Sequence, residues 1–108
     1  MNFEEYHTKA QRTAIYPDKV KIIYPALGLA GETGEVCEKI KKVFRDADGK
    51  FTETKRVEIM KELGDVLWYI AAIATDLNIP LDVVATENIK KLSSRRKRGA
   101  IHGSGDNR

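Results

Sequence analysis

The sequence predicts an all-α fold, a four-helix bundle whose core we expect to be completed by oligomerisation. Apolar residues recur at intervals of three, four or seven in two long stretches, which is the period of an amphipathic helix. No stretch carries a strong strand signal. A chain of 108 residues buries only about two thirds of its unfolded surface on folding, so association with further copies would stabilise it.

The first helix is predicted to begin after Asn2, because Asn2 and Glu5 fit a capping box, and to end before Pro17. A second helix is predicted from about Pro25, which suits a first helical turn, to about Arg45. Its apolar stripe supports packing against another helix. The residues expected on the inner face of the first helix are Tyr6, Ala10, Thr13 and Ala14.

A turn is predicted at residues 46–50, where Asp and Gly cluster. Thr52 can cap a third helix that runs from about Glu53 to about Leu77. This helix has an apolar stripe that suits packing against another helix, and we expect an antiparallel bundle with short connections. The stripe consists of Ile59, Leu63, Val66, Ile70, Ile73 and Leu77.

Asn78 and Pro80 break the third helix, and Pro80 opens a fourth helix that is expected to reach about Leu92. Beyond it, Ser, Gly and charged residues dominate and no apolar face continues. We therefore divide the chain into a helical domain, residues 1–93, and a basic C-terminal tail, residues 94–108, which we expect to be disordered.

The net charge of +3 is unevenly distributed. Residues 1–89 hold 12 Lys/Arg and 15 Asp/Glu, whereas residues 90–108 hold 7 Lys/Arg and one Asp. The chain has a single cysteine, no apolar run of the ~18 residues that span a bilayer, and no signal peptide at its start. These features favour the cytoplasm, a host cell's if the protein comes from a phage, and no membrane partner.

Acidic residues form the most informative pattern. Each long helix carries a pair at spacing i, i+3, namely Glu32 and Glu35 on the second and Glu62 and Asp65 on the third. At about 100° per residue, the first member of each pair lies about 60°, and the second about 120°, from an apolar residue, Leu29 or Ile59, on the same side of both stripes. Antiparallel packing of these helices would bring four carboxylates together.

Four converging carboxylates repel each other unless a cation compensates them. Oxygen ligands without His or Cys select Mg²⁺, with Mn²⁺ possible, and the chain lacks an EF-hand loop for Ca²⁺. The alternative is that these are surface carboxylates paired with neighbours such as Lys39 or Lys61. Glu38 continues the acidic ladder but faces away from the stripe, so we expect it to be exposed to solvent or to lie outside the direct metal ligands.

Two segments carry a family resemblance. Residues 28–42, GLAGETGEVCEKIKK, and residues 61–70, KELGDVLWYI, resemble the motifs of the MazG-like nucleotide pyrophosphohydrolases, within the all-α NTP pyrophosphatase superfamily. The resemblance covers roughly residues 3 to 92. The family pattern is E-E-x-x-E followed by E-x-x-D, and Gly31 replaces its first Glu. The metal-ligand positions of the pattern fall on Glu32, Glu35, Glu62 and Asp65.

The resemblance implies Mg²⁺-dependent hydrolysis of a nucleoside triphosphate to the monophosphate and pyrophosphate by a homodimer or homotetramer. Glu35 by preference, or Glu32, would take the proton of the attacking water. Tyr69 would stack on or hydrogen-bond the nucleotide. Asn88 and Lys91 on the fourth helix resemble positions that reach the sugar and phosphates. Trp68 points the opposite way from Tyr69, and we expect it to serve packing.

Two alternatives remain open from the sequence. One is a phosphoribosyl-ATP pyrophosphohydrolase-like activity within the same superfamily. The other is a non-catalytic helical protein that binds nucleic acid through the basic run Arg95–Arg98, which leaves the matched acidic pairs unexplained and makes a nucleic-acid partner the weaker hypothesis. The C-terminal segment also resembles the end of some small phage and bacterial MazG-like proteins, and Gly103 and Gly105 would allow a phosphate to approach the backbone.

Overall fold

The computed structural model describes residues 1–108 and contains four α-helices, one short 3₁₀ helix and no strand. The predicted all-α class is therefore confirmed. The helices are α1 (Phe3–Gln11), the 3₁₀ helix (Asp18–Val20), α2 (Ile23–Ala47), α3 (Glu53–Asp76) and α4 (Leu81–Lys97).

Side-chain caps begin two of the helices as the sequence predicts. The Oδ1 atom of Asn2 accepts a hydrogen bond of 2.8 Å from the backbone N–H of Glu5. The Oγ1 atom of Thr52 accepts one of 3.2 Å from the backbone N–H of Lys55. Each cap satisfies a donor that the first helical turn leaves without an intrahelical partner.

The helices α2 and α3 form a long antiparallel hairpin. Asp48, with φ of 53°, ends α2 in the left-handed region, and the chain reverses within five residues. The rings of Phe44 and Phe51 meet edge to face at 6.0 Å beside this turn. At the other end of the hairpin, Gly28 lies against Tyr69. The end of α2 therefore faces the start of α3, and the start of α2 faces the C-terminal half of α3.

The small hydrophobic core lies where α1 and α4 pack on the C-terminal half of α3. Ala10, Ala71 and Leu81 form the buried cluster, one residue from each of these helices. The direction of the chain changes by 103° between α3 and α4. No single helix is long and apolar enough to cross a membrane, although α3 and α4 together pass such a test on length and composition alone.

His7 ties these three helices together, a role that the sequence does not reveal. Its Nδ1 atom accepts a hydrogen bond of 3.1 Å from the backbone N–H of Leu81, at the start of α4. Its Nε2 atom lies 2.6 Å from Oγ1 of Thr75 on α3. Since Nδ1 accepts a hydrogen bond, the ring proton lies on Nε2, which donates a hydrogen bond to the threonine hydroxyl. The neutral imidazole thus caps α4.

Much apolar surface remains exposed in the single chain. Only 8 of 108 residues are buried, and Val43 is the fully enclosed member of the two predicted stripes. The radius of gyration is 16.7 Å, compared with about 13 Å for a compact domain of this length. Leu63, expected on an inner face, is 52% exposed. The hairpin has only one helix on each side of its interface, so part of each stripe has no partner within the chain.

The fourth helix is longer than predicted, because it ends at Lys97 rather than near Leu92. The two serines at 93 and 94 read as helix breakers, yet no Pro or Gly stops the helix before Gly99. Arg95, Arg96 and Lys97 occupy its last turn, where cations interact favourably with the helix dipole. The polar residues that follow Leu92 therefore led to a wrong prediction of where α4 ends.

Candidate metal centre

Three of the four predicted ligand carboxylates converge. Glu32 on α2 and Glu62 and Asp65 on α3 each place a carboxylate oxygen within 4.8 Å of the other two. Glu32 and Glu62 are half-buried and Asp65 is exposed. The i, i+3 spacing in α3 and the antiparallel packing of α2 position them. This donor set consists of oxygen atoms only, which suits Mg²⁺ or Mn²⁺.

The electrostatics of the cluster are consistent with a cation site. The pKa of Glu32 is raised by desolvation, then by the negative charge of Asp65, and further by a shared hydrogen bond with Glu62 and its charge. Beyond the effect of burial, part of this rise in pKa reflects repulsion between the carboxylates of Glu32, Asp65 and Glu62. A divalent cation would remove this repulsion.

Glu35 lies outside the group of three. Its side chain is exposed, although its charge contributes to the raised pKa of Glu32. Lys39, one turn further along α2, places its Nζ atom 3.5 Å from Oε1 of Glu62. The pairing of a site carboxylate with Lys39, expected if these were ordinary surface charges, is thus present for Glu62. The role of Glu35 as a ligand stays a prediction.

Tyr69 lies beside the carboxylates, as the helical arithmetic predicts. Its ring lines a pocket together with Thr13, Glu32, Asp65 and Trp68. Desolvation, the neighbouring Tyr24, and the charges of Glu32 and Asp65 raise the pKa of its phenol. Its neighbourhood is therefore that of the acidic site.

Gly28 makes the position of the Tyr69 ring possible. A Cβ atom at residue 28 would overlap with this ring. The ring therefore packs directly on the α2 backbone, and Gly28 belongs to the functional neighbourhood although it carries no side chain. The sequence signal was present, since Gly28 opens the family-like motif, but its packing role was not predicted.

Trp68 packs against the buried cluster, as predicted, but the prediction that it points away from the site is wrong. Trp68 lines the same pocket as Glu32 and Asp65, and its ring meets Tyr69 edge to face at 5.0 Å. Its Nε1 atom donates a hydrogen bond of 2.7 Å to Oγ1 of Thr13. The segment after α1 comes close to α3 and holds the indole at the pocket, an effect that angles on a single helix cannot predict.

A cavity of about 190 Å³ lies on the other side of Trp68. Small side chains from two segments leave the space, and the aromatic rings of Tyr16 and Trp68 border it. Polar groups of Gln11, Thr75, Asp76 and Lys21 lie at its edge. A flat apolar group with a polar rim would fit such a slot.

Asp76 anchors the segment between α1 and α2 that forms one wall of this cavity. Its Oδ2 atom accepts hydrogen bonds from the Tyr16 hydroxyl at 2.8 Å and from the Ile22 N–H at 2.9 Å. Ile22 has φ of 69° and ψ of −57°, and the Ile23 N–H donates to the Lys21 carbonyl at 2.7 Å. These values describe a γ-turn that is strained for a β-branched residue.

Asn88 and Lys91 lie on α4, which has no residue in the pocket of the carboxylates. Asn88 is exposed. The Nζ atom of Lys91 is 3.3 Å from Oδ1 of Asp106 in the C-terminal segment. Within one chain, the structure does not bring these two residues to the acidic site.

Comparisons with known proteins agree with this geometry. The family model of the MazG nucleotide pyrophosphohydrolase domain matches residues 25–100, which include all four predicted metal ligands. The chain is similar to the Gene 37 protein of Mycobacterium phage L5, with 45% identity over 114 residues and complete coverage of both chains. No solved structure matches. Members of the MazG family typically use a divalent metal ion, and the chain belongs to the MazG nucleotide pyrophosphohydrolase family.

Proposed function

We propose that this protein hydrolyses a nucleoside triphosphate, NTP or dNTP, to the monophosphate and pyrophosphate in a Mg²⁺-dependent reaction. The observation that carries the proposal is the convergence of Glu32, Glu62 and Asp65 across two helices of a MazG domain. The expected setting is nucleotide-pool control or the removal of unwanted nucleotides in the cytoplasm. If the protein is of phage origin, as its viral relative suggests, this is the cytoplasm of the host.

Glu32, Glu62 and Asp65 would hold Mg²⁺, and Glu35 would join them by a change of side-chain rotamer. Mn²⁺ would fit the same oxygen atoms. When bound, the metal supplies charge neutralisation for the triphosphate and lowers the pKa of a bound water. Glu35, exposed at the edge of the cluster, is our preferred proton acceptor for the attacking water, with Glu32 as the second candidate.

The pocket beside the carboxylates would bind the nucleotide. Tyr69 and Trp68 meet at right angles and would contact the sugar and the base. The cavity beyond Trp68 would receive the base, since Ala10, Ala14 and Ala72 leave a slot bordered by the Tyr16 ring. The polar edge groups Gln11 and Asp76 would then contact the edge of the base and influence which base is accepted.

We propose that the working form is a homodimer or a homotetramer. The exposed apolar side chains and the extended shape of the single chain support this, because burial of the open faces of the α2–α3 hairpin needs a further layer of helices. Asn88 and Lys91 would reach the sugar and phosphates of a nucleotide bound by a second copy, since α4 does not border its own pocket.

A product assay tests the proposed reaction. The full-length protein would be incubated with standard NTPs, dNTPs and phosphoribosyl-ATP, with Mg²⁺ or with EDTA, and pyrophosphate would be measured separately from phosphate. We expect pyrophosphate release that requires Mg²⁺ and collapses in Glu62→Gln. Glu38→Gln is the matched control, because Glu38 lies on α2 and pairs with Lys41 at 2.8 Å away from the cluster.

Release of phosphate in place of pyrophosphate, or full activity of Glu62→Gln, would contradict the proposal. Preferential cleavage of phosphoribosyl-ATP would assign the alternative activity within the superfamily. Retained helical circular dichroism in Glu62→Gln would show that a loss of activity does not come from unfolding.

A further inference from the structure

The C-terminal loop, residues 99–108, folds back on the end of α4. Gly99 has φ of 68°, and two hydrogen bonds close the helix end, from the Ala100 N–H to the Arg95 carbonyl at 2.7 Å and from the Gly99 N–H to the Arg96 carbonyl at 3.3 Å. This pattern is a Schellman motif, which reverses the chain after a helix. The tail predicted to be disordered is therefore an ordered element.

Arg95 lies inside this loop and is the one charged side chain that the fold buries, with 4% of its surface exposed. Its Nη2 atom donates to the carbonyl oxygens of Asp106 at 2.6 Å and Gly105 at 3.3 Å. Its Nε atom is buried and has no hydrogen-bond partner. A guanidinium stays ionised in proteins, so the loop encloses a cation with an unused donor.

A second arginine draws loop carbonyls inward. Arg108 donates from Nε to Ala100 at 3.1 Å, from Nη1 to Gly105 at 2.7 Å and from Nη2 to Ile101 at 2.8 Å. The Nη2 atom of Arg98 donates to the Arg108 oxygen at 2.8 Å. Guanidinium groups thus occupy the oxygen atoms of five of the ten loop residues, namely 100, 101, 105, 106 and 108.

The backbone N–H groups of the loop remain available. None of the N–H groups of residues 101–107 donates to a protein acceptor. Gly103 and Gly105, on either side of Ser104, have φ of 147° and 84°. Successive N–H groups in such turns form concave anion-binding sites. A loop in which half of the carbonyls face guanidinium groups, and in which the N–H groups around Ser104 have no acceptor within the chain, is suited to bind an anion.

Charge favours the same ligand. Residues 90–108 hold seven Lys/Arg against one acid, Asp106. The carboxylate of Asp106 is 85% exposed and lies 3.3 Å from Nζ of Lys91 and 3.7 Å from Nη2 of Arg95. Lys91 and, to a lesser extent, Arg95 lower the pKa of Asp106. An exposed carboxylate of the chain itself is therefore paired with these two cations.

We propose that the backbone N–H groups of the C-terminal loop and the side chain of Lys91 bind the phosphate groups of a polyphosphate, with the buried charge of Arg95 attracting them from beneath the loop, and that Asp106 competes with this ligand from within the chain. The choice of a nucleotide's triphosphate chain or free pyrophosphate as the ligand rests on the proposed function. A compact, highly charged anion fits better than a nucleic-acid backbone, because Arg95 and Arg108 are tied into the loop and do not project along an open surface.

Binding to the full-length protein in EDTA tests the proposal independently of hydrolysis, since the carboxylate centre holds no divalent ion there. Pyrophosphate is the probe, calorimetry gives the affinity, and NMR follows the amide signals of Gly103, Ser104 and Gly105. We expect these signals to shift on titration. A nucleoside triphosphate in the same buffer shows whether the loop also accepts the substrate's phosphate chain or only the free product.

Lys91→Gln should weaken pyrophosphate binding about tenfold, the value of one charge-assisted hydrogen bond. Lys91 contacts the loop through Asp106, so the amide spectrum of the ligand-free variant is compared with that of the wild type to check that the loop stays folded. Arg96→Gln is the matched control, because this substitution removes the same charge from the same helix. The Arg96 side chain makes no hydrogen bond or salt bridge. Asp106→Asn should bind several-fold more tightly because the internal competitor is removed.

Unchanged amide signals at saturating pyrophosphate would overturn the proposal. Equal weakening by Lys91→Gln and Arg96→Gln would also overturn it, since net charge alone would then explain binding. Tighter binding of a DNA duplex than of pyrophosphate at these amides would assign the loop to nucleic acid instead. Hydrolysis of a nucleoside triphosphate without pyrophosphate binding at the loop would overturn this inference and leave the proposed reaction standing. Pyrophosphate binding at the loop without hydrolysis would do the reverse.

Discussion

The ring of Tyr69 on α3 packs directly on the backbone of Gly28 on α2, in space that a single methyl group at position 28 would occupy. This contact sets the separation of the two helices beside the carboxylate cluster. Tyr69 lines the pocket with Glu32 and Asp65, so a change at Gly28 would move a pocket wall. A residue without a side chain therefore controls the shape of the candidate site.

Gly28→Ala should displace Tyr69 and lower kcat/KM for pyrophosphate release. Overpacking of this kind costs about 1–3 kcal/mol of stability, which urea unfolding would measure. Gly31→Ala is the matched control, because a Cβ atom there meets nothing within 4 Å and alanine favours a helix over glycine by up to about 1 kcal/mol. A stabilised Gly28→Ala with unchanged kinetics would contradict the packing role of the glycine.

Glu32→Gln should stabilise the metal-free protein and abolish its stabilisation by Mg²⁺. The pKa of Glu32 is raised in the folded chain, so its contribution to stability is present below the unfolded pKa and is lost as pH rises through the folded value. Glutamine removes that loss at neutral pH. Mg²⁺ at a hundredfold excess over its Kd should stabilise the wild type by about 2.7 kcal/mol.

Melting temperatures with EDTA and with Mg²⁺ would measure both effects of Glu32→Gln. Glu38→Gln is the control, since the pKa of Glu38 is lowered by its hydrogen bond to Lys41 and by nearby cations. That variant should gain no stability in EDTA and should keep its response to Mg²⁺. A normal Mg²⁺ response in Glu32→Gln would remove Glu32 from the ligand set.

Asp76→Ala should release the segment between α1 and α2. The loss of hydrogen bonds from Tyr16 and Ile22 to a charged acceptor should cost about 2–4 kcal/mol. Ile22→Gly in the same background should recover about 1 kcal/mol, because glycine accepts the positive φ without strain. Urea unfolding of the single and double variants would check these values.

The titration of Tyr16 provides an independent measurement on the same contact. Burial first, and then the hydrogen bond and the charge of Asp76, raise the pKa of the Tyr16 phenol. Folding therefore favours the protonated phenol, and this contribution to stability is lost as pH rises through the raised pKa. In Asp76→Ala, ultraviolet titration should find Tyr16 ionising at lower pH. An unchanged titration curve would contradict the hydrogen bond.

His7→Ala should destabilise the fold by about 1–3 kcal/mol, because the start of α4 loses its acceptor and Thr75 loses a donor. His102→Ala is the matched control, since His102 is exposed in the C-terminal loop and makes no hydrogen bond through its side chain. Thermal unfolding would compare the two. Equal melting temperatures would show that the His7 contacts contribute nothing to stability.

Signals between residues close in sequence were enough to predict the all-α class and most of the helix ends. The caps at Asn2 and Thr52 and the break at Pro80 depend on neighbours within a few residues, and all three act as the sequence predicts. The periodic stripes predicted that α2 and α3 are helical, but they predicted burial only in part, because Val43 is buried whereas Leu63 is exposed. The end of α4 was predicted wrongly, because the stopping signal is the reversal at Gly99 and not the two serines before it.

The acidic pairs were visible in the sequence by itself, because side chains three residues apart share a helix face whatever surrounds them. Only the tertiary structure decided that Glu32 meets Glu62 and Asp65 while Glu35 stays at the edge, since helix angles fix a face and leave the rotamer to neighbours such as Lys39. Tertiary structure also placed Trp68 at the pocket and enclosed Arg95 in the C-terminal loop. Both arrangements depend on contacts with other segments of the chain: the residues after α1 in the case of Trp68, and the loop that folds back on α4 in the case of Arg95. The periodicity of one helix contains no information about such contacts.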